Sequence, residues 1–335
     1  MNVSVAVVAY NEEKTLPLLL DDLCAQDYPH EKTEILLIDS MSTDRTRDIM
    51  ESFQRKDSGF SRIQVLENPE KLIPCGHNVA LKYYNGDALV RVDAHVSLPA
   101  DFISKSVEGL MSGENVYGGI VESVADSDAP FAQTLLLAEN SAFCGGAAGF
   151  RRLTEKAYVK TLAFALYRRE VFEKVGSYHP LLPRSEDNDM NYRVRQAGYR
   201  LCCDPNIHSI RFSRSTLGKL LKQKYLNGYW IGKTMGINPK CFSLYHFVPF
   251  VFVLGILFTA ILAVLGHPLL AVLMWVAYAL ADLAVSVKEM TKRPFSATNL
   301  LLPVLFLLLH ISYGFGTLIG LIVMPFWVRK IKHHP

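Results

Sequence analysis

The chain has 335 residues, 50% of them hydrophobic and 20% charged, with a net charge of +3 at neutral pH. That length buries at least one full core and leaves room for a second domain. So small a net charge, with no basic patch interleaved with aromatics, gives no sign of nucleic acid as a partner, and the 6 cysteines show neither a Cys-x-x-Cys pair nor metal spacing, so they read as reduced thiols of a cytosolic domain.

The chain opens directly on a strand pattern, without a signal peptide. Val3 to Ala9 is a continuous β-branched apolar run, which suits a central strand covered on both faces. A polar turn, Tyr10-Asn11-Glu12-Glu13, leads into the helical spacing of Thr15 to Cys24. A strand running through such a turn into a helix is where α/β proteins place ligands. Ile35 to Ile38 reads as a second buried strand ending at Asp39, followed by Ser40-Met41-Ser42-Thr43-Asp44 and a helix from about Arg45 to Phe53. The hydroxyls there also suit plain N-caps. A third strand fits Ile63 to Leu66, and a helix from Gly76 to Tyr84 leads into a strand over Leu89 to Val92. This alternation predicts a mainly parallel α/β sheet with its ligand loops at the strand C-ends. The chain lacks Gly-x-Gly-x-x-Gly after the first strand and has no Gly-Lys-Ser/Thr loop, so dinucleotide-binding and ATP-hydrolysing classes lose their fingerprints.

The fourth strand ends at Asp93-Ala94-His95. Residues two apart on an extended backbone share a face, so Asp93 and His95 can reach one divalent ion, the imidazole favouring Mn²⁺ over Mg²⁺. Three polar strand ends, Tyr10 to Glu12, Asp39, and Asp93 with His95, would converge on one sheet edge. There Tyr10 can stack on a base, Asp39 can accept from a base N–H, and Asp93 with His95 can hold a metal-bound diphosphate. Singly, the same residues also serve as a loop aromatic, a helix-start charge and a turn cap.

Val8-Ala9-Tyr10-Asn11-Glu12, Ile38-Asp39-Ser40 with Ser42-Thr43-Asp44, Asn78, and Val92-Asp93-Ala94-His95 together resemble the successive motifs of family 2 glycosyltransferases. Arg184-Ser185-Glu186-Asp187-Asn188-Asp189 resembles the family's Glu-Asp motif at a helix start, and Arg214-Ser215-Thr216 and Gln223 through Trp230 continue the match. The motifs span roughly residues 3 to 235, and the Asp-Ala-His variant looks most like the branch containing succinoglycan-type β-glucosyltransferases. The resemblance implies a GT-A (Rossmann-like) fold, a UDP-sugar donor with Mn²⁺ or Mg²⁺, and inverting transfer. It assigns Ala9, Tyr10, Glu12, Asp39, Asn78 and Asp93 to the donor, Asp93 and His95 to the metal, and Asp187 to the base. Glu186 would orient the acceptor or the sugar, and Gln223 and Trp230 would lie on the acceptor side. Asp189 is the rival base. His208 is a candidate third metal ligand or a plain strand-end histidine, and His77 stands where relatives often carry another residue. The Gln-to-Trp spacing is longer than in processive synthases. Gly145-Gly146-Ala147-Ala148-Gly149, with Arg151 and Arg152 after it, reads as a loop that closes on the donor or as a plain surface loop.

Basic residues from Arg211 to Lys240 read as a cytoplasmic juxtamembrane face. Leu217, Leu220, Leu221, Leu226, Trp230 and Ile231 fall on one helical side with Lys219, Lys222, Lys224 and Lys233 around the rest. This predicts an amphipathic helix lying in the bilayer interface over residues 216–240, or one covering the catalytic domain. Charges then nearly vanish, and apolar segments at 247–266, 269–287 and 300–327 can cross a bilayer. The third is interrupted by Pro303, His310, Gly314, Gly316 and Gly320, so it either crosses or re-enters; three crossings would put the basic tail Arg329-Lys330-Ile331-Lys332 against the charge rule. Asp282 and His310 would pair with each other or with a lipid head group, Asp282 otherwise being solvated at the interface.

The expectation is a nucleotide-sugar domain over residues 1–215, a linker helix over 216–240 and a membrane domain over 247–327. It describes a multi-pass enzyme of the inner or plasma membrane whose catalytic domain faces the cytoplasm. Such an enzyme would move a sugar from a UDP-sugar to a lipid-linked glycan in exopolysaccharide or envelope synthesis. Transfer straight to polyprenyl phosphate, or a membrane-anchored nucleotide-sugar-binding protein without turnover, are the alternatives. Neither the sugar nor the oligomeric state is written in the motifs.

Overall fold

The computed structural model describes residues 1–144, 153–213, 216–292, 294 and 296–333. Its described residues form two compact units, one from Met1–Glu122 and Ala148–Phe212, the other from Ser123–Ala147 and Ser213–Pro335.

The first unit begins with β1 (Val3–Ala9), α1 (Leu16–Cys24), β2 (Thr33–Asp39), α2 (Thr46–Arg55), β3 (Arg62–Glu67), α3 (Ile73–Tyr83) and β4 (Ala88–Asp93). It continues through β5 (Val96–Ser97), α4 (Phe102–Met111) and β6 (Val116–Ala125). After α5 (Pro130–Asn140) come β7 (Ala157–Val159), β8 (Leu166–Arg168), α6 (Arg169–Val175), α7 (Glu186–Gln196) and β9 (Leu201–Ser213). The sheet order is β3-β2-β1-β4-β8-β6-β9-β5, with β7 on β9. The apolar runs of β1 and β2 take central places because both of their faces are covered; every residue of β2 is buried. Leu16, Leu19, Leu20 and Leu23 turn one side of α1 into the core.

β1 pairs in parallel with β2 and β4, and β2 with β3, as the alternating pattern predicts. The expectation of a mainly parallel sheet holds only for this half. β8 runs antiparallel to β4 and β6, and β9 antiparallel to β5 and β7, so the whole sheet is mixed. These added strands include three-residue and two-residue pieces, too short to show a period in sequence.

The parallel register places Asp39 beside Ala9 and Asp93 beside Val8. The C-ends of β2, β1 and β4 therefore share one edge, with Asp39 and Asp93 roughly 10 Å apart across two strand spacings.

The second unit holds α5, α8 (Leu217–Thr234), α9 (Val248–Val264), α10 (Leu269–Met290) and α11 (Leu302–His333). Leu135, Leu137 and Ala138 of α5 share a core with Leu220, Leu302, Leu305, Phe306 and Leu309. That packing accompanies the grouping of Ser123–Ala147 with the C-terminal helices, so the first unit is not one continuous run to residue 215.

α8 packs along α11 through glycines. A Cβ added at Gly228 would lie 2.0 Å from the Tyr313 carbonyl oxygen, at Gly316 2.1 Å from that of Tyr225, and at Gly320 2.2 Å from that of Tyr229. Such close backbone approach is how helices associate in lipid, where apolar contact alone supplies no drive. The lysines divide: Lys219 and Lys222 are exposed, whereas Lys224 and Lys233 are buried, Lys224 Nζ donating to the Cys144 carbonyl at 3.2 Å and Lys233 lying against the rings of Trp230 and Trp327.

Among the described residues, three helical stretches, Leu244–Val264, Leu269–Met290 and Ala297–Lys330, are long and apolar enough to cross a membrane. The interruption expected in the third does not occur. Pro303 falls in the first turn of α11, where its missing N–H costs nothing, and Gly314, Gly316 and Gly320 meet backbone of other helices. Asp282 is not solvated: it is 3% exposed and accepts from Ser286 Oγ at 3.2 Å. His310 bonds instead to the Tyr278 hydroxyl and the Phe143 carbonyl, so the two do not pair directly.

Candidate active site

The loops after β1 and β2 are stitched together by short polar side chains. Asn11 Oδ1 accepts from the Thr43 N–H at 2.8 Å, and the Asn11 N–H donates to Ser42 Oγ at 3.1 Å. Thr46 Oγ1 accepts from the Glu12 N–H at 2.7 Å. Asn11 and Met41 both take left-handed backbone angles (φ 57 and 62), which turn the chain sharply at each strand end. Asp39 is buried and its Oδ1 accepts from the Ser42 N–H at 3.0 Å. Tyr10, by contrast, is 50% exposed, its ring open to a ligand.

Glu12 and His95 meet across the β1 and β4 ends, Glu12 Oε1 lying 3.1 Å from His95 Nδ1, while Glu12 Oε2 accepts from Thr15 Oγ1 at 2.6 Å. Glu12 therefore sits on the imidazole rather than facing a donor alone. Among the described residues no group of three His, Cys, Asp or Glu side chains could enclose an ion. A hard cation held by Asp93 and His95 would need substrate oxygens to complete its shell, and the Glu12 carboxylate would then orient the imidazole. His208 is exposed on β9 and joins no such group.

α7 begins with Glu186, Asp187 and Asp189 in its first turn, where the helix dipole favours acids. Their environments then separate them. Asp189 is buried and accepts from Arg193 Nε one turn on at 2.9 Å, which ties it to the helix and weakens its case as the base. Glu186 is buried and its Oε2 has no hydrogen-bond partner; burial, and then the neighbouring charge of Asp187, push its carboxyl up to about 8. Asp187 keeps a side chain 36% exposed and pairs with Nη2 of Arg91. Desolvation pushes its carboxyl up, Arg91 pulls it down, and the charge of Asp93 adds to the rise. Asp93 thus acts electrostatically on both Glu186 and Asp187.

Arg91 was missed in the sequence because it lies inside an apolar strand and matches no motif. Its alternation with Asp93 was the available signal, since Arg91, Asp93 and the site edge share one face of β4. Asn78 shows a different role from donor contact: its amide accepts from the Tyr178 N–H and donates to the Tyr178 carbonyl, both at 2.8 Å. It thereby fixes the ring that lies 5.2 Å from the Arg91 guanidinium. Ala9 contributes backbone, its carbonyl accepting from the Ser40 N–H at 2.9 Å. Gln223 and Trp230 sit two helical turns apart on α8 of the second unit, Gln223 with a buried Oε1 lacking a partner and Trp230 edge-on to Trp327. Gly145 to Gly149, Arg151 and Arg152, and Arg214 with Ser215, lie outside the described residues.

A parallel β-α half whose strand ends carry Asp39, Asp93 and His95, joined to an acidic helix start, defines a GT-A-type nucleotide-sugar transferase fold. The family model for glycosyl transferase family 2 matches residues 4–176, and the chain belongs to that family; it is a glycosyltransferase. It is 27% identical over 323 residues to a dolichyl N-acetyl-α-D-glucosaminyl phosphate 3-β-D-2,3-diacetamido-2,3-dideoxy-β-D-glucuronosyltransferase of Methanococcus voltae, covering 93% of this chain and 95% of that one. It is 27% identical over 232 residues to the succinoglycan biosynthesis protein ExoA of Rhizobium meliloti (strain 1021), covering 68% of each. Among solved structures, the mannosyltransferase PcManGT from Pyrobaculum calidifontis, in complex with GDP-Man and Mn²⁺, aligns with a TM-score of 0.60 at 19% identity, covering 95% of this chain and 87% of that one.

Proposed function

We propose that the protein is a membrane-bound inverting glycosyltransferase that moves a sugar from a UDP-sugar to a sugar already carried on a membrane lipid, with Asp187 as the base. One observation carries this reading: of the three acids at the α7 start, Asp187 alone combines partial exposure with a cationic partner and the electrostatic reach of Asp93. A base needs access to its proton and a carboxylate whose basicity has been raised without neutralising it. The acceptor hydroxyl attacks the anomeric carbon and its proton passes to Asp187. The new glycosidic C–O bond forms as the bond to the diphosphate breaks, and the diphosphate leaves with that electron pair. Tyr10 stacks on the base, Asp39 receives a base N–H, and Asp93 and His95 hold the cation. When bound, that cation offsets the charge of the departing diphosphate. The neutral carboxyl of Glu186 donates a hydrogen bond to a sugar hydroxyl.

The lipid-borne acceptor is supported by the name of the Methanococcus voltae relative, which specifies a dolichyl-linked sugar phosphate, and by the three apolar helices. Confining enzyme and acceptor to one surface raises the acceptor's effective concentration. The basic stretch from Arg211 to Lys240 favours a cytoplasmic catalytic unit. The detergent-purified full chain, given labelled UDP-sugars and Mn²⁺ with either a lipid-diphosphate glycan or polyprenyl phosphate, should label the glycan. Label appearing only on polyprenyl phosphate would overturn the acceptor assignment, and none on either with any donor would overturn the enzyme described.

A further inference from the structure

Arg91 stands in a strand whose neighbours Val90 and Val92 are 1% exposed, and is itself 7% exposed. A guanidinium there must be satisfied from inside the protein. Nη2 meets Asp187, Nη1 lies 2.7 Å from Nε2 of His77, and the Tyr178 ring covers the group at 5.2 Å, leaving Nε alone without a hydrogen bond. A guanidinium only donates, so His77 Nε2 is the acceptor and the imidazole is neutral with its proton on Nδ1. That Nδ1 is buried without a partner. A core histidine kept for packing would ordinarily pair both nitrogens; here one is sacrificed while the other holds Arg91.

We propose that His77 and Arg91 form a positioning pair for Asp187: His77 fixes the rotation of the guanidinium, and the guanidinium holds the Asp187 carboxylate in one orientation. Neither touches substrate. Asn78 supports the pair from behind by clamping the Tyr178 backbone. The inference rests on the reading of Asp187 as base, and the geometry of a base matters because a displacement of about 1 Å costs transfer rates on the order of 100-fold.

The test uses the detergent-purified full chain with the donor and lipid acceptor giving the fastest turnover, and UDP with Mn²⁺ as the binding probe. His77→Leu should lower kcat about 10-fold with donor KM and UDP affinity within about twofold, the pattern of an interaction expressed in the transition state. His77→Gln, whose amide oxygen can still accept from Arg91, should keep most of the rate. Arg91→Ala should lose about 100-fold in kcat, and added guanidinium should restore part of it. Equal losses in folded His77→Leu and His77→Gln, or no loss in either, would overturn the pair. So would a folded Arg91→Ala that guanidinium does not rescue. Asp187→Asn run in parallel separates the two failures: if it retains wild-type turnover the base reading falls and takes the pair with it, whereas if it is inactive and the His77 and Arg91 variants are normal, the pair alone falls.

Discussion

Glu12 Oε1 lies 3.1 Å from Nδ1 of His95, so a carboxylate at the end of β1 sets the ring that follows β4. A carboxylate behind a metal-binding imidazole fixes its tautomer and raises its basicity, and its loss typically costs 10- to 100-fold, here about 10-fold, in metal affinity. Glu12→Gln should weaken Mn²⁺ binding to the UDP complex by that factor, and His95→Ala by more, both read by calorimetry. Unchanged Mn²⁺ affinity in Glu12→Gln would detach this contact from the metal.

The buried Glu186 makes stability depend on pH. Its native carboxyl is pushed up to about 8 by burial and by Asp187, whereas in the unfolded chain it titrates in the ordinary glutamate range. Between those values the native state binds a proton the unfolded state has released, so the native state loses stability as pH rises through that window. Glu186→Gln stays neutral throughout. Its Tm should exceed wild type by more at pH 8.5 than at pH 5, measured in metal-free detergent solution. A constant difference across that range would mean that the carboxyl is ionised in the native state.

Much of this was legible in the sequence. Four parallel strands, three of their helices and the strand-end acids follow from apolar runs punctuated by polar turns, because a strand buried on both faces and a helix with one buried face each leave a period. Arg91 left only its two-residue spacing from Asp93, since a single charge in an apolar strand gains a role only when its partner, 96 residues away, is folded against it. Asn78 was visible as a motif residue, but its clamp on Tyr178 spans 100 residues. The short antiparallel strands are held by tertiary context rather than by local preference. The α8 glycines were present at Gly228 and Gly232, yet Lys219, Lys222, Lys224 and Lys233 suggested a wet face; only the matching glycines of α11 reveal a packed seam.

That seam gives a stability prediction with an internal control. A Cβ at Gly316 would meet the Tyr225 carbonyl, whereas one at Gly218, on α8, meets nothing within 4 Å. Gly316→Ala should destabilise by about 1–3 kcal/mol through overpacking, while Gly218→Ala should be neutral or stabilise by up to about 1 kcal/mol. Thermal or denaturant unfolding of both variants in the same detergent checks this. Equal Tm values would show that α8 and α11 do not pack at this distance.

The base assignment stands or falls on Asp187→Asn, assayed twice on the same sample: sugar transfer to the lipid-linked acceptor, and affinity for UDP with Mn²⁺ by calorimetry. The account predicts transfer reduced by about 1,000-fold or more with UDP affinity within about threefold of wild type, because removing a proton acceptor spares the donor's contacts. Transfer at the wild-type rate by a folded Asp187→Asn protein would contradict it.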